Sequence, residues 1–312
     1  MAPPRKGRHD MAPRTELRPT RTGGEAIAIQ YETFGDPSDP AVLLVMGFGT
    51  QLLGWEAEFC AQLAARGRHV LRYDNRDCGL STKLDHHPVN LGEFTAAASV
   101  GDVDRARAMA PYTLGDMAAD GMAVLDALGI KQAHVVGSSM GGMIAQRMAI
   151  EFPERVLSLT SMMSSTGEQE YGQATPEAQQ VLFSSRPPDR EGYIAAAERD
   201  LVWASRRYGD AARLRALAAA SYDRAYYPAG VPRQLAAMIL DGSRAKELKT
   251  LAVSTLVIHG LDDTLIDASG GRRTAELVPD ARLLLLEDMG HDRPRALWAA
   301  LIDAIVDHTS HR

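Results

Sequence analysis

The sequence predicts an α/β protein with a mostly parallel, twisted sheet that is flanked by helices on both faces. Short, continuously apolar runs recur along the chain, as in AVLLVMG at 41–47 and STLVIHG at 254–260. Such runs are typical of strands that are buried on both faces of a parallel sheet. Segments with helical periodicity alternate with these runs at both ends of the chain, and this alternation favours parallel strands with helical crossovers.

The elements follow from periodicity. Strands are predicted at 25–34, where apolar and polar residues alternate, and at the apolar runs 41–47, 69–74, 133–137, 156–163, 254–260 and 281–287. Helices are predicted around 52–63, at 113–128, at 140–151, near 269–278 and through 296–305. Gly129 and Pro153 mark the ends of two of these helices. Between 166 and 248 the pattern is helical and interrupted by prolines, which predicts an inserted helical cap on a core formed by 25–165 and 249–312.

Charge and composition limit the partners. Residues 1–24 hold six Lys/Arg against Asp10 and Glu16, which gives this segment a formal charge of +4. Because the whole chain has a net charge of −6, the remaining residues carry −10. We expect the basic segment to be a disordered tail, and the acidic remainder argues against nucleic acid as a partner. No apolar run approaches the ~18 residues of a membrane span, so no membrane partner is expected. The two cysteines, Cys60 and Cys78, are predicted to be reduced, as in a cytoplasmic protein. Whether the chain forms a homo-oligomer is open.

The predicted strand 133–137 ends in Gly137-Ser138-Ser139-Met140-Gly141, and a helix follows. This G-x-S-x-G pattern between a strand and a helix is typical of a nucleophile elbow, in which a sharp turn projects the Ser139 hydroxyl above the sheet. The unpaired N–H groups at the start of the helix favour a developing oxyanion, and the Met140 amide is well placed to donate to one. The alternative, a phosphate-binding turn, is disfavoured because no lysine follows the glycines.

A serine nucleophile needs a base, and the base needs an orienting acid. Of the nine histidines, His291 follows the last predicted strand in a loop at the carboxyl edge of the sheet, where ligands bind in open α/β sheets. The other histidines lie in the tails, in a polar loop or at strand edges. Two adjacent carboxylates, Asp262 and Asp263, are candidates for the acid, and either could instead be a turn residue.

The sequences GSSMGG, HGLDD and MGH, together with VMGFGTQLLGW (45–55) and RYDNRDCGLST (72–82), resemble the esterase and lipase branch of the α/β-hydrolase superfamily. The resemblance runs from about 25 to 307 and is strongest to aclacinomycin methylesterases and actinobacterial carboxylesterases. In that family the acid is the fifth residue of H-G-x-x-D, which implies Asp263. The second oxyanion amide follows the glycine of an H-G-x segment, which implies Phe48 beside Gly47. Met46 stands where the family has a histidine, which removes a side chain but not the donating amide.

The resemblance implies a carboxylic ester hydrolase that acts through an acyl-enzyme on a small-molecule ester, with no cofactor and no metal. The same triad serves thioesterases, lactonases, C–C bond hydrolases and cofactor-free haloperoxidases, and a hydrolase-like ligand receptor is the non-enzymatic alternative. Relatives with an aspartate nucleophile are disfavoured because Ser139 occupies that position. Gly47, Tyr226 and Tyr227 are the predicted substrate-binding residues. The two tyrosines precede a predicted bend of the cap at Pro228, where side chains can turn towards Ser139.

Overall fold

The computed structural model describes residues 14–16 and 26–310, which contain a single eight-stranded sheet. The strands are β1 (Arg14–Glu16), β2 (Ala28–Phe34), β3 (Ala41–Val45), β4 (His69–Tyr73), β5 (Ala133–Ser138), β6 (Val156–Met162), β7 (Thr255–Gly260) and β8 (Arg282–Leu286). Their order across the sheet is β1-β2-β4-β3-β5-β6-β7-β8. The pairs from β4 to β8 are parallel, and β2 is antiparallel to both of its neighbours.

Twelve α-helices accompany the strands in the described ranges. Those of the core are α1 (Ala57–Ala64), α2 (Leu91–Ser99), α3 (Val103–Met109), α4 (Leu114–Ala127), α5 (Met140–Glu151), α11 (Ala268–Leu277) and α12 (Trp298–His308). Between β6 and β7 lie α6 (Pro176–Leu182), α7 (Arg190–Ala196), α8 (Ala211–Ala225), α9 (Val231–Asp241) and α10 (Ala245–Leu248). The fully described segment 163–254 therefore holds five helices and no strand, and we keep 166–248 as the proposed cap.

Both faces of the sheet are covered. Leu43 of β3 packs in a cluster with residues of α4 and α5, whereas its neighbours Val42 and Leu44 pack on the opposite face with residues of α1 and α12. Successive side chains of a strand point to opposite faces, so a strand with two covered faces favours apolar residues at consecutive positions. This explains the continuous apolar runs and confirms the predicted mostly parallel sheet between two helical layers.

The structure differs from the sequence prediction in three places. Arg14–Glu16, within the segment expected to be disordered, form β1 against Gln30 to Ala28 of β2, because β2 would otherwise present a free edge of backbone groups. The other residues of 1–24 lie outside the described residues. The helical pair α2 and α3 was not predicted. The single helix expected around 52–63 is a 3₁₀ turn at Leu52–Gly54 followed by α1.

Both cysteines are buried and free. Within the ranges 14–16 and 26–310, no helix combines the length and the apolarity that a bilayer crossing requires.

Candidate active site

Ser139 is the single residue between β5 and α5, and its backbone is strained. Its φ of 59° and ψ of −126° lie in a region that residues other than glycine rarely adopt. The turn requires small neighbours: a Cβ added at Gly137 would lie 2.0 Å from the carbonyl oxygen of Gly141, and one added at Gly141 would lie 2.2 Å from that of Val45. The strand, serine and helix are thus arranged as a nucleophile elbow requires.

The loop after β3 passes beside this turn. A Cβ added at Gly47 would lie 3.1 Å from Ser139 Cβ and 3.6 Å from Ser139 Oγ, so a larger residue here would crowd the Ser139 side chain. Phe48 follows as a half-buried residue, and Met140 is buried as the first residue of α5. The two predicted oxyanion residues therefore directly follow Gly47 and Ser139, on two segments that pass close to one another. Asn75 stabilises the loop by donating from Nδ2 to the Met46 carbonyl at 2.8 Å.

His291 and Asp263 are joined by a 2.7 Å hydrogen bond between His291 Nδ1 and Asp263 Oδ2. Asp263 Oδ1 accepts from the backbone amides of Leu265 and Ile266, both at 2.9 Å. Burial by itself raises the pKa of Asp263, but the positive charge of His291, its hydrogen bond and the nearby His259 ring outweigh burial and hold the pKa at about 2. Asp263 is therefore a carboxylate at neutral pH. Because a carboxylate only accepts, His291 Nδ1 carries the proton and its Nε2 is left as the basic nitrogen.

Ser139 Oγ makes no hydrogen bond to His291 within the described part of the chain. Such contacts are often long in the absence of substrate and tighten when it binds.

A profile of the family described as "alpha/beta hydrolase fold" matches residues 40–292 of this chain. The chain belongs to the α/β-hydrolase family. A relative of this hydrolase, "Rhodomycin D methylesterase" of Streptomyces peucetius, is 29% identical over 93% of this chain and 98% of its own. A "Putative carbamate hydrolase" of Variovorax paradoxus is 27% identical over 85% of this chain and 90% of its own. The predicted resemblance to methylesterases of the superfamily is thus confirmed.

Among solved structures, a thermophilic esterase from Thermogutta terrifontis superposes on this hydrolase with a TM-score of 0.68. It is 22% identical, and the match covers 95% of this chain and 99% of that one. This likeness supports the fold.

One segment of the proposed cap, residues 202–206, forms hydrogen bonds to both loops that carry the candidate acid and base. The amide of His291 donates to the Trp203 carbonyl at 2.6 Å, and the amide of Ser205 donates to Asp292 Oδ1 at 3.0 Å. On the acid loop, Thr264 Oγ1 donates to the Val202 carbonyl at 2.8 Å. Asp262, the alternative acid, accepts from the amide of Arg206 at 3.0 Å. The cap therefore takes part in fixing these loops.

The two predicted cap tyrosines make other contacts. The Tyr227 hydroxyl donates to Asp85 and accepts from Arg233 at 2.5 Å. The Tyr226 ring stacks on Tyr222 with centroids 4.6 Å apart and meets the edge of Tyr193 at 5.4 Å. No hydrogen bond or ring contact of either tyrosine, in the part of the chain that the structure describes, reaches Ser139 or His291. Their role in substrate binding stays a prediction.

Two side chains near the site were given no role from the sequence. His259 Nε2 donates to the Ile266 carbonyl at 2.7 Å and lies 3.5 Å from Asp263 Oδ2. The His259 ring therefore helps to fix the loop that carries Asp263. Gln234 of α9 accepts from the Gly49 amide and donates to the Arg76 carbonyl, both at 2.9 Å, which ties the cap to the loop after Phe48. The H-G-x-x-D pattern was a signal for His259, whereas nothing in the sequence around Gln234 indicated its distant partners.

No group of three or more His, Cys, Asp or Glu side chains in residues 14–16 and 26–310 could hold a metal ion. Asp74 and Arg76, from the stretch RYDNRDCGLST, form ion pairs with Arg224 and Asp120 respectively, each at 2.7 Å.

Proposed function

We propose that this α/β-hydrolase cleaves carboxylic esters through an acyl-enzyme on Ser139, with His291 as general base and Asp263 as the orienting acid. The observation that carries the proposal is the 2.7 Å bond from His291 Nδ1 to Asp263 Oδ2, because it leaves Nε2 unprotonated in the neutral ring. Nucleophilic catalysis by a serine requires such a base, and the strained Ser139 at the strand-to-helix turn is the serine that it would activate.

In the acylation step His291 Nε2 takes the proton of Ser139 Oγ as Oγ bonds to the ester carbonyl carbon. The amides of Phe48 and Met140 stabilise the resulting oxyanion. Removal of either donor would raise the activation free energy by roughly 3–4 kcal/mol. When the tetrahedral intermediate collapses, the bond to the alcohol oxygen breaks and His291 returns its proton to that oxygen. Water then attacks the acyl-enzyme with His291 again as base, which releases the acid and restores Ser139.

The substrate class that the relatives favour is a methyl ester, because the rhodomycin D methylesterase aligns over almost the whole of both chains. The acyl part would then be the larger portion of the substrate and would be met by the cap. Thioester and lactone cleavage use the same groups and are outcomes of the test below.

The test is a panel of esters in which the acyl group and the alcohol are varied separately, assayed with the wild type and Ser139→Ala. We expect turnover of methyl esters of aromatic acids at least as fast as that of the matching butyl esters, and loss of all turnover in Ser139→Ala. Matched thioesters, lactones and carbamates complete the panel. A preference for one of these over every ester would replace the proposed reaction, and equal turnover by Ser139→Ala would refute the nucleophile.

A further inference from the structure

Arg293 lies two residues after His291, and its side chain points into the protein. The residue is only 9% exposed, although it belongs to a surface loop that also carries the exposed Arg295. Arginine is among the residues least often buried without a charged partner. Its position therefore calls for a physical explanation.

The guanidinium connects two segments that lie far apart in the sequence. Nη1 donates to Ser138 Oγ at 2.8 Å, and Ser138 is the residue immediately before the proposed nucleophile. Nη2 donates to the Gly54 carbonyl at 2.6 Å, in the 3₁₀ turn that continues the loop after β3. The charged group also lies over the Trp55 ring, 4.2 Å from its centroid, which favours a cation.

The backbone end of Arg293 is fixed as well. Its carbonyl accepts from Trp298 Nε1 and from Arg213 Nη2, both at 2.9 Å. Arg213 belongs to α8 of the cap, and its guanidinium also bonds Glu56. One residue thus joins the His291 loop, the Ser139 turn, the loop after β3 and the cap.

No carboxylate lies within 4.0 Å of the Arg293 guanidinium in the described residues. The acceptors are a hydroxyl, a carbonyl and, at 3.9 Å, the Met46 sulfur. Burial and the nearby charge of Arg213 lower the pKa of Arg293 to about 10, although the carboxylates of Glu56 and Asp292 act in the opposite direction. Burying a cation without a direct ion pair is costly, and an apolar side chain of similar length would often serve the fold as well or better. The cost indicates a purpose other than stability.

We propose that Arg293 is a positioning residue that holds His291 and Ser139 in register for the reaction. The inference rests on the proposed function. The planar guanidinium can donate to Ser138 and Gly54 at the same time because its N–H groups point in fixed, divergent directions. A lysine ammonium in the same place keeps the charge but offers a single donor atom.

The test compares three variants of the full chain. Arg293→Met should lower kcat on a p-nitrophenyl ester by roughly 30- to 100-fold, since misplacement of about 1 Å costs that much, with KM changed less than threefold. Arg293→Lys should recover part of the loss. Arg295→Met, an exposed arginine in the same loop, is the matched control and should stay within twofold of the wild type. Thermal unfolding of each variant reports on the fold.

A double-mutant cycle with Ser138→Ala tests the proposed connection. If Arg293 acts through the Ser138 hydroxyl, the fold-loss caused by Arg293→Met should be clearly smaller in the Ser138→Ala background than in the wild type. Fully multiplicative losses would contradict a path through Ser138. Rescue by Arg293→Lys to the wild-type rate would show that charge alone matters and would overturn the bridging role.

The rate at which a fluorophosphonate probe labels Ser139 separates the two proposals. Labelling of the wild type with slower labelling of Arg293→Met supports both. Equal labelling rates and equal kcat in wild type and Arg293→Met would overturn the positioning role while leaving the proposed function intact. Absence of labelling in the wild type would instead refute the proposed function. If Arg293→Met does not fold, Arg293→Lys and Ser138→Ala carry the same comparison.

Discussion

Replacing Asp263 with asparagine tests the proposed acid through an effect that the structure makes specific. Asp263 Oδ1 accepts two backbone amides at 2.9 Å, and Oδ2 accepts from His291 Nδ1 at 2.7 Å. The oxygen of an asparagine must take the position facing the two amides, because its NH₂ group cannot accept. The NH₂ group then faces His291 and forces Nδ1 to be the acceptor, which moves the ring proton to Nε2.

With Nε2 protonated, His291 cannot accept the proton of Ser139. We therefore expect kcat to fall by roughly 10⁴, as when the same exchange traps the wrong tautomer in a serine protease, which corresponds to ~5 kcal/mol of activation free energy. The variant should still fold at neutral pH, because both amides keep an acceptor, but with the free energy of unfolding lowered by up to about 2 kcal/mol through loss of the carboxylate charge. The assay is steady-state hydrolysis of a p-nitrophenyl ester between pH 6 and 9.

Asp262→Asn is the matched control, since Asp262 bonds the backbone amide of Arg206 and has no contact with His291 among the described residues. We expect a loss of less than about tenfold, because asparagine can still accept that bond. A larger loss of kcat in Asp262→Asn than in Asp263→Asn would mean that Asp262, and not Asp263, is the acid. If both variants keep the wild-type kcat, the His291 tautomer does not control the reaction and Asp263 is not the orienting acid.

Three further predictions follow from contacts around the site. Because the pKa of Asp263 lies at about 2 rather than the usual 3.8, its ionised form should add about 2 kcal/mol to the free energy of unfolding above pH 4. That contribution should be lost as the pH falls from about 4 to 2, so chemical unfolding of the wild type should show a steeper acid loss than Asp263→Asn. Gln234→Met should lower kcat by about tenfold, because it releases the loop after Phe48. Gln132→Met, at an exposed glutamine, is the control and should leave kcat unchanged. An unchanged kcat in Gln234→Met would mean that the cap does not hold this loop. Tyr226→Ala and Tyr227→Ala, assayed on a small acetate and a bulky aromatic ester, should alter the ratio of the two activities if the tyrosines contact substrate, and proportional losses would assign them to packing.

The sheet and the elbow could be predicted because their signals are local. A strand covered on both faces favours apolar residues at consecutive positions, and a strand-to-helix turn at Ser139 needs small residues two positions away on either side. The position of His291 followed from chain order and from the edge of the sheet where the strands end. The His291–Asp263 pair spans only the β7 and β8 loops, which parallel strand order brings together.

The cap contacts could not be predicted in the same way. Tyr227 and Asp85 are 142 positions apart, and Gly49 and Gln234 are 185 apart, so no periodicity relates them. Their polar side chains look like ordinary surface residues in the sequence. Arg293 shows the same limit, because an arginine in a polar loop predicts exposure, and only the three-dimensional arrangement brings Ser138 and Gly54 to its guanidinium.

Mass spectrometry of the protein after treatment with a fluorophosphonate tests the proposed nucleophile itself. We expect one adduct per chain, located by peptide mapping on Ser139 and absent in Ser139→Ala. An adduct on a different residue, or labelling that persists in Ser139→Ala, would contradict the assignment of Ser139 as the nucleophile.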